Sequence, residues 1–279
     1  MTTTVTRPEA VQPGEAGTPG PWRGSGLGTQ ILVLTNRSLR PILRDPKTVV
    51  FSLMQPLLML VLFSQVFRVI AEGPMFPKGV SYIDYLLPAI MVTTATMVGV
   101  QAGVGLTSDM KNGVLARFRS MPVSPVAVLV ARSIADLTRG LIELVVMLVA
   151  AALFFGFAPA GGFFGVAGAL LLALAVGWSL GWLFLAAAAW LRESTTAQMV
   201  GMMALFPLQF ASSAFVPVES LPNWLQVVAQ VNPLSYAINA SRDLALAQPV
   251  GSGVTSALLV SAGIAVVGVF VAVRGFRRP

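Results

Sequence analysis

The stretch FFGVAGALLLALAVGWSLGWLFLAAAAWL, residues 163–191, carries no charged side chain from its first phenylalanine to its last leucine. As a helix rising ~1.5 Å per residue it reaches roughly 43 Å, longer than the ~30 Å hydrocarbon layer of a bilayer. It is apolar all round, so it has no face suited to water. Its length predicts a membrane span that tilts or protrudes.

The rest of the chain agrees. Of 279 residues, 56% are hydrophobic and only 10% charged, and the mean hydropathy is +0.80. Soluble domains carry about 25% charge. A chain so depleted cannot cover its own surface with polar groups, and lipid is its expected solvent. Five more apolar stretches predict spans over 49–67, 85–106, 141–157, 197–215 and 254–273, the third helix beginning near Val126. Pro56 and Pro207 fall inside spans one and five and predict kinks. The expected class is an all-α integral membrane protein with six transmembrane helices.

Lys and Arg set the expected orientation. The N-terminal region, residues 109–139, Arg192 and the tail hold fifteen, against Arg68, Lys78 and Arg242 on the alternate side. The positive-inside rule then puts both termini in the cytoplasm. This asymmetry accounts for a net charge of +7 without nucleic acid, for which no basic soluble domain exists. Residues 1–26, rich in Thr, Pro, Gly and Glu, read as a disordered cytoplasmic tail. They lack the apolar core of a secretory signal. Everything from 27 to 279 reads as one transmembrane domain.

Residues 27–47 have a different pattern. Ile31, Leu32, Leu34, Thr35, Leu39, Ile42 and Leu43 fall mainly on one side of a helical projection, with Arg37, Arg40, Arg44 and Lys47 on the other. That is the pattern of a helix lying in the headgroup plane, its arginines reaching phosphates. Pro41 is expected to bend it.

The joint TSDMKNGVLARFRSMPVSP, residues 107–125, places Val114, Leu115, Phe118 and Met121 at three- and four-residue spacing among Lys111, Arg117 and Arg119. Asp109 suits the N-terminus of such a helix, and Pro122 and Pro125 end it. The spacing fits a helix that docks into a groove on a soluble partner and equally a plain interfacial helix. Next comes a ladder, Arg132, Asp136, Arg139 and Glu143, on one helical face with alternating sign. Arg132 to Arg139 read as a cytoplasmic extension of span three, with Glu143 just inside the interface. Unpaired, a charge at mid-span costs roughly 3 kcal/mol. Residues 215–250, between spans five and six, predict two short outer helices. Pro222 lies near the start of the first, and Asn232-Pro233 is the cap and first residue of the second.

No enzyme is expected. Without Cys or His there are no disulfides, thiolate or imidazole metal sites, or Ser–His pairs. Gly177-Trp178-Ser179-Leu180-Gly181 matches a nucleophile-elbow pattern, which needs a strand-to-helix turn; here it lies mid-span. Those glycines read instead as a helix-packing face, like Gly99/Gly103 and Gly161/Gly165. No phosphate-cradling G-x-x-x-x-G-K-[ST] segment occurs.

Four blocks, RDPKTVVFSLMQPLLMLVLF (44–63), YIDYLLPAIM (82–91), DMKNGVLARFRSMPVSPVAVLVARSIADL (109–137) and FASSAFVPVESLPNWLQVVAQVNPLSYAINASRDL (210–244), appear in this order. With them the chain, from about Thr35 onward, resembles the permease subunits of type-2 ABC exporters, in particular the daunorubicin-resistance-like branch of actinobacteria. Asp109 departs slightly, standing where that family more often has glutamate. The resemblance implies six spans behind an elbow helix at 27–47 and a coupling helix at 109–121, with Asp109, Gly113, Leu115, Arg117, Phe118 and Arg119 as coupling residues. It implies two copies of a separate ATPase subunit carrying ATP and Mg, a second permease copy as homodimer or heterodimer, and residence in a bacterial plasma membrane. No cofactor is expected on this chain.

The expected function is export of a hydrophobic or amphiphilic small molecule, a drug, antibiotic or lipid. Met- and Phe-rich spans suit such cargo. Met54, Phe63, Met97, Phe206, Gln209, Phe210 and Ser213 are the candidate lining residues. The alternative is an ion-coupled transporter or channel working without an ATPase. It predicts paired intramembrane charges and repeated halves, and the sequence offers Glu143 and no convincing repeat.

Overall fold

The computed structural model describes residues 26–44, 46–66, 76, 79–111, 124–249 and 251–276, with the side chains of 41–44, 46, 48, 49 and 125 outside the description. Among the described residues the regular structure is entirely helical: α1 (Leu27–Arg44), α2 (Pro46–Val66), α3 (Tyr82–Lys111), α4 (Pro125–Phe155), α5 (Gly162–Leu191), α6 (Ser194–Phe210), a 3₁₀ turn (Val218–Ser220), α7 (Asn223–Val231), α8 (Pro233–Ala245) and α9 (Gly253–Phe276).

Four helices, α3, α4, α5 and α9, are long and apolar enough to cross a bilayer, and α2 holds a shorter apolar helix, Val50–Val66. The fifth expected span ends early. α6 stops at Phe210 rather than continuing to residue 215, and 211–216 form a turn. Pro56 and Pro207 lie within continuous helices.

Small residues decide the core. α3 and α5 cross most intimately, and both are mostly buried. A Cβ on Gly99 would sit 2.7 Å from the Gly181 Cα, and one on Gly103 would sit 2.8 Å from the Phe184 carbonyl oxygen. One on Gly177 would meet Ala95 at 2.5 Å. Backbones this close gain dispersion contacts that lipid cannot supply. Gly161 and Gly165 do the same against the Leu244 carbonyl at the end of α8. All three predicted glycine faces are therefore packing faces.

α4 and α9 pack on this pair and leave most of their surface bare, including Val149, Leu153 and Phe154 on α4 and Leu259, Val266 and Phe270 on α9. Such continuous apolar exposure exceeds what a soluble monomer presents. α1 lies along α4, donating from the Thr35 hydroxyl to the Ala131 carbonyl at 3.4 Å and accepting the Ser124 amide on Gln30 at 3.0 Å. Arg37 and Arg40 face outward as expected, but so does Leu32, 72% exposed. The Arg44 side chain lies outside the described residues.

At the Tyr82 end of α3 the two short helices expected between spans five and six form. Asn232 caps α8 by accepting the Leu234 amide at 2.9 Å, with Pro233 first in the helix. Its amide nitrogen donates to the Leu208 and Ala211 carbonyls at 2.6 and 2.7 Å, fastening the end of α6. Arg242, buried on α8, donates to the carbonyls of Tyr85 (3.1 Å) and Ser213 (2.9 Å) and to Asn239 (3.2 Å). Its guanidinium lies 3.6 Å from the Tyr85 ring centroid. The Tyr82 hydroxyl donates to the Phe215 carbonyl at 3.0 Å.

Candidate functional site

The other end of α3 carries the charges. Asp109, in its last turn, accepts from Arg132 on α4 at 2.6 Å, and Arg132 also donates to Asp136 at 3.2 Å. The arginine reaches α3 because residue 105 is glycine, where a Cβ would collide with the guanidinium. Lys111 and Glu193 lie 3.7 Å apart, both half-exposed. Asp109 thus lies in the last turn of a helix that continues to Lys111, not at the N-terminus of a separate short helix as expected. Gly113, Leu115, Arg117, Phe118 and Arg119 lie outside the described residues.

The ladder divides into two pairs. Arg132 and Asp136 form the first. Arg139 forms the second, donating its Nε to the Oε1 of Glu143 at 2.8 Å, and that same oxygen accepts the Ser52 hydroxyl of α2 at 2.9 Å. Glu143 is only 3% exposed. Arg139 and Glu143 line the wall of a cavity between helices. The charge is tolerated because the carboxylate is paired and hydrogen-bonded.

That cavity measures about 260 Å³ and lies between α2, α3 and α6, with the α4 pair at one end. It follows α3 from Ile90 to Gln101, about 16 Å at 1.5 Å per residue. Its lining is graded. Near the charged pair stand Ser52, Gln55, Gln101 and Gln198; towards the Tyr82 end stand Met59, Ile90, Phe206, Phe210 and Phe215.

Of the residues expected along a substrate path, Met97, Phe206, Gln209 and Phe210 border this space. Three do not. Met54, 47% exposed, is not among the lining residues, although Ser52 and Gln55 of the same helix are. Phe63 packs edge-on against Phe215 with centroids 4.5 Å apart. Ser213 is buried in the turn after α6, its carbonyl holding Arg242. Missed were Ser52, Gln55, Gln101 and Gln198, each a polar residue within a mostly apolar helix. Their signal was available, since polar groups at membrane depth are expensive and face interiors or cavities.

Ser179 is 1% exposed and donates to the Val176 carbonyl of its own helix at 2.7 Å. It has neither a base nor access. Among the described residues no group of three or more Asp or Glu gathers as a metal site.

A helical bundle with membrane-length apolar helices, close glycine crossings and a graded, partly open cavity between helices is a polytopic membrane protein. Residues 29–246 match the family described as ABC-2 type transporter, and the chain belongs to it. It is 32% identical over 231 residues to the "Daunorubicin resistance ABC transporter permease protein DrrB1" of Streptomyces coeruleorubidus, covering 83% of this chain and 80% of that one. It is 28% identical over 250 residues to the "Probable doxorubicin resistance ABC transporter permease protein DrrC" of Mycobacterium tuberculosis, covering 89% and 88%. It is 30% identical over 219 residues to a ycf38 transport permease of Pyropia yezoensis, covering 77% and 73%. These relatives are permeases by name, not catalytic subunits.

Proposed function

We propose that this chain is the membrane-spanning permease of an ATP-driven exporter that moves a hydrophobic or amphiphilic small molecule out of the cytoplasm or the inner leaflet. The cavity between α2, α3 and α6 carries the reading, because a chain of this family needs an internal place for cargo and this one is both apolar and polar. In this proposal α2 and α6 complete six spans with α3, α4, α5 and α9. Both termini face the cytoplasm of a bacterial cell, and α1 is the elbow helix at the membrane surface.

The power comes from a separate ATPase subunit, two copies per complex, which binds the ATP and Mg. The permease pairs with a second copy, identical or homologous. The segment 109–121 seats in the ATPase, and the Asp109–Arg132 contact carries its displacement into α4. Differential binding of ATP to two states of the ATPase then biases two states of the permease.

Co-expression with a candidate ABC ATPase subunit in a drug-sensitive strain tests the reading. Efflux of amphiphilic drugs should require both subunits. Gly113→Leu and Phe118→Ala should abolish efflux while the permease stays in the membrane and the ATPase still hydrolyses ATP. Transport by the permease alone, driven by an ion gradient, would overturn it in favour of the ion-coupled alternative.

A further inference from the structure

We infer that the charged end of the cavity is a recognition site for an anionic oxygen headgroup, a phosphate or carboxylate, with the ligand's apolar part directed toward Phe206 and Phe210. The inference rests on the export reading only for what happens to the ligand afterwards.

Three observations carry it. First, Arg139 spends its Nε on Glu143, and among the described residues nothing bonds either of its η-nitrogens. Neither is a buried orphan. A guanidinium fork with both ends open on a cavity is shaped for two oxygens held in a plane. Second, the exposure within the pair is unequal. The Arg139 side chain is 22% exposed and that of Glu143 only 4%. A ligand entering this space meets more of the cation than of Glu143, which also lines the wall but has one oxygen shared between Arg139 and Ser52. A cationic headgroup would face the arginine and find a carboxylate only 4% exposed and already paired.

Third, the neighbours suit such a headgroup. Gln55, Gln101 and Gln198 offer amide donors on three different helices around the same end. Beyond them the wall turns to Met59, Ile90, Phe206 and Phe210. A volume near 260 Å³ falls just below the ~300–1,000 Å³ of ordinary ligand pockets. It holds one compact amphiphile, or the headgroup and first methylenes of a lipid whose chains extend between α2 and α6. Both sources share the same headgroup chemistry.

The test is photo-crosslinking of the full chain in phosphatidylcholine nanodiscs. The probes are three dodecyl chains carrying a tail diazirine and ending in phosphate, maltoside or trimethylammonium. The phosphate probe should label α6 around Phe206 and Phe210 at least tenfold more than the trimethylammonium probe, and Arg139→Gln should remove that preference. Because Arg139→Gln leaves Glu143 buried without its cation, the double variant Arg139→Gln/Glu143→Gln is measured beside it. It should keep maltoside labelling and lose the phosphate preference.

Equal labelling by all three headgroups, or a phosphate preference that survives in the double variant, would overturn the inference. Competition by dioleoyl phosphatidic acid would identify the ligand as bilayer lipid, and competition only by free dodecyl phosphate as a soluble amphiphile; either supports the site. If the phosphate probe labels the cavity but is not moved by the ATPase-loaded complex, the headgroup site stands and the export reading fails.

Discussion

Arg132 on α4 donates to Asp109 in the last turn of α3 at 2.6 Å, and its guanidinium occupies the space that a side chain at residue 105 would fill. One contact therefore ties the end of α3, where the chain leaves toward residues 112–123, to the long helix that also carries Glu143. Electrostatics and sterics act here with different strengths. The Asp109 side chain is half-exposed, and a pair in that setting contributes about 0–1 kcal/mol. A side chain at 105 would instead expel the whole guanidinium, leaving Asp136, at 16% exposure, without its cation.

The first prediction separates these two effects. Asp109→Asn should lower thermal stability of the detergent-solubilised chain by no more than about 1 kcal/mol. Gly105→Val should cost about 1–2 kcal/mol more than Asp109→Asn, through displacement of the Arg132 guanidinium from its seat between Asp109 and Asp136. Fluorescence-detected size-exclusion after heating reads both. A Gly105→Val chain as stable as the parent would show that Arg132 has another resting place.

A second prediction concerns the α3–α5 crossing. At Gly177 a Cβ meets Ala95 at 2.5 Å and the backbone of the same residue just beyond, so Gly177→Leu has no flexible neighbour to push aside. It should cost 3 kcal/mol or more, on the order of the severest core overpacking. Gly263 on α9 provides the control, with nothing within 4 Å of its added Cβ. Gly263→Ala should be neutral or stabilise by up to about 1 kcal/mol through helix propensity. Similar losses at both sites would sink the packing account.

The serine of the nucleophile-like pattern yields a third. Ser179→Ala should leave transport and partner ATPase activity unchanged, because its hydroxyl only back-bonds within α5. The measured effect on stability should be under about 1 kcal/mol. Any hydrolytic activity that disappears with this substitution would contradict the reading.

How far the sequence revealed this arrangement depends on the physical signal. Glycine faces at 99/103, 161/165 and 177/181 were legible because spacing alone puts small residues on one side of a helix. The Asn232-Pro233 start of α8 was legible because capping is local. The cavity wall was only half legible. Phe206 and Phe210 are apolar whether they face lipid, protein or ligand, so composition did not separate them from Met54, which does not border the cavity. The polar residues Ser52, Gln55, Gln101 and Gln198 carried the better signal. Each is costly in lipid, and together they mark the side of three helices that borders the cavity. Gly105 was invisible until its partner's position was known, because what it admits is a side chain 27 residues away.

The last prediction concerns the outer helices. Arg242 serves three acceptors on three separate pieces of chain: the Tyr85 carbonyl on α3, the Ser213 carbonyl after α6, and Asn239 on its own helix. Its plane also lies over the Tyr85 ring. A lysine has one nitrogen on a flexible stem and cannot span acceptors this far apart. Arg242→Lys should therefore behave nearly like Arg242→Leu, both losing about 3 kcal/mol as buried carbonyls are left unpaired. Because the turn at 211–216 bears Phe215 on the cavity wall, both variants should also let a thiol reagent reach a cysteine placed at 215 in either background. Full stability of the lysine variant, or unchanged protection at 215, would mean that the charge alone holds these helices. The fork geometry argues against that outcome.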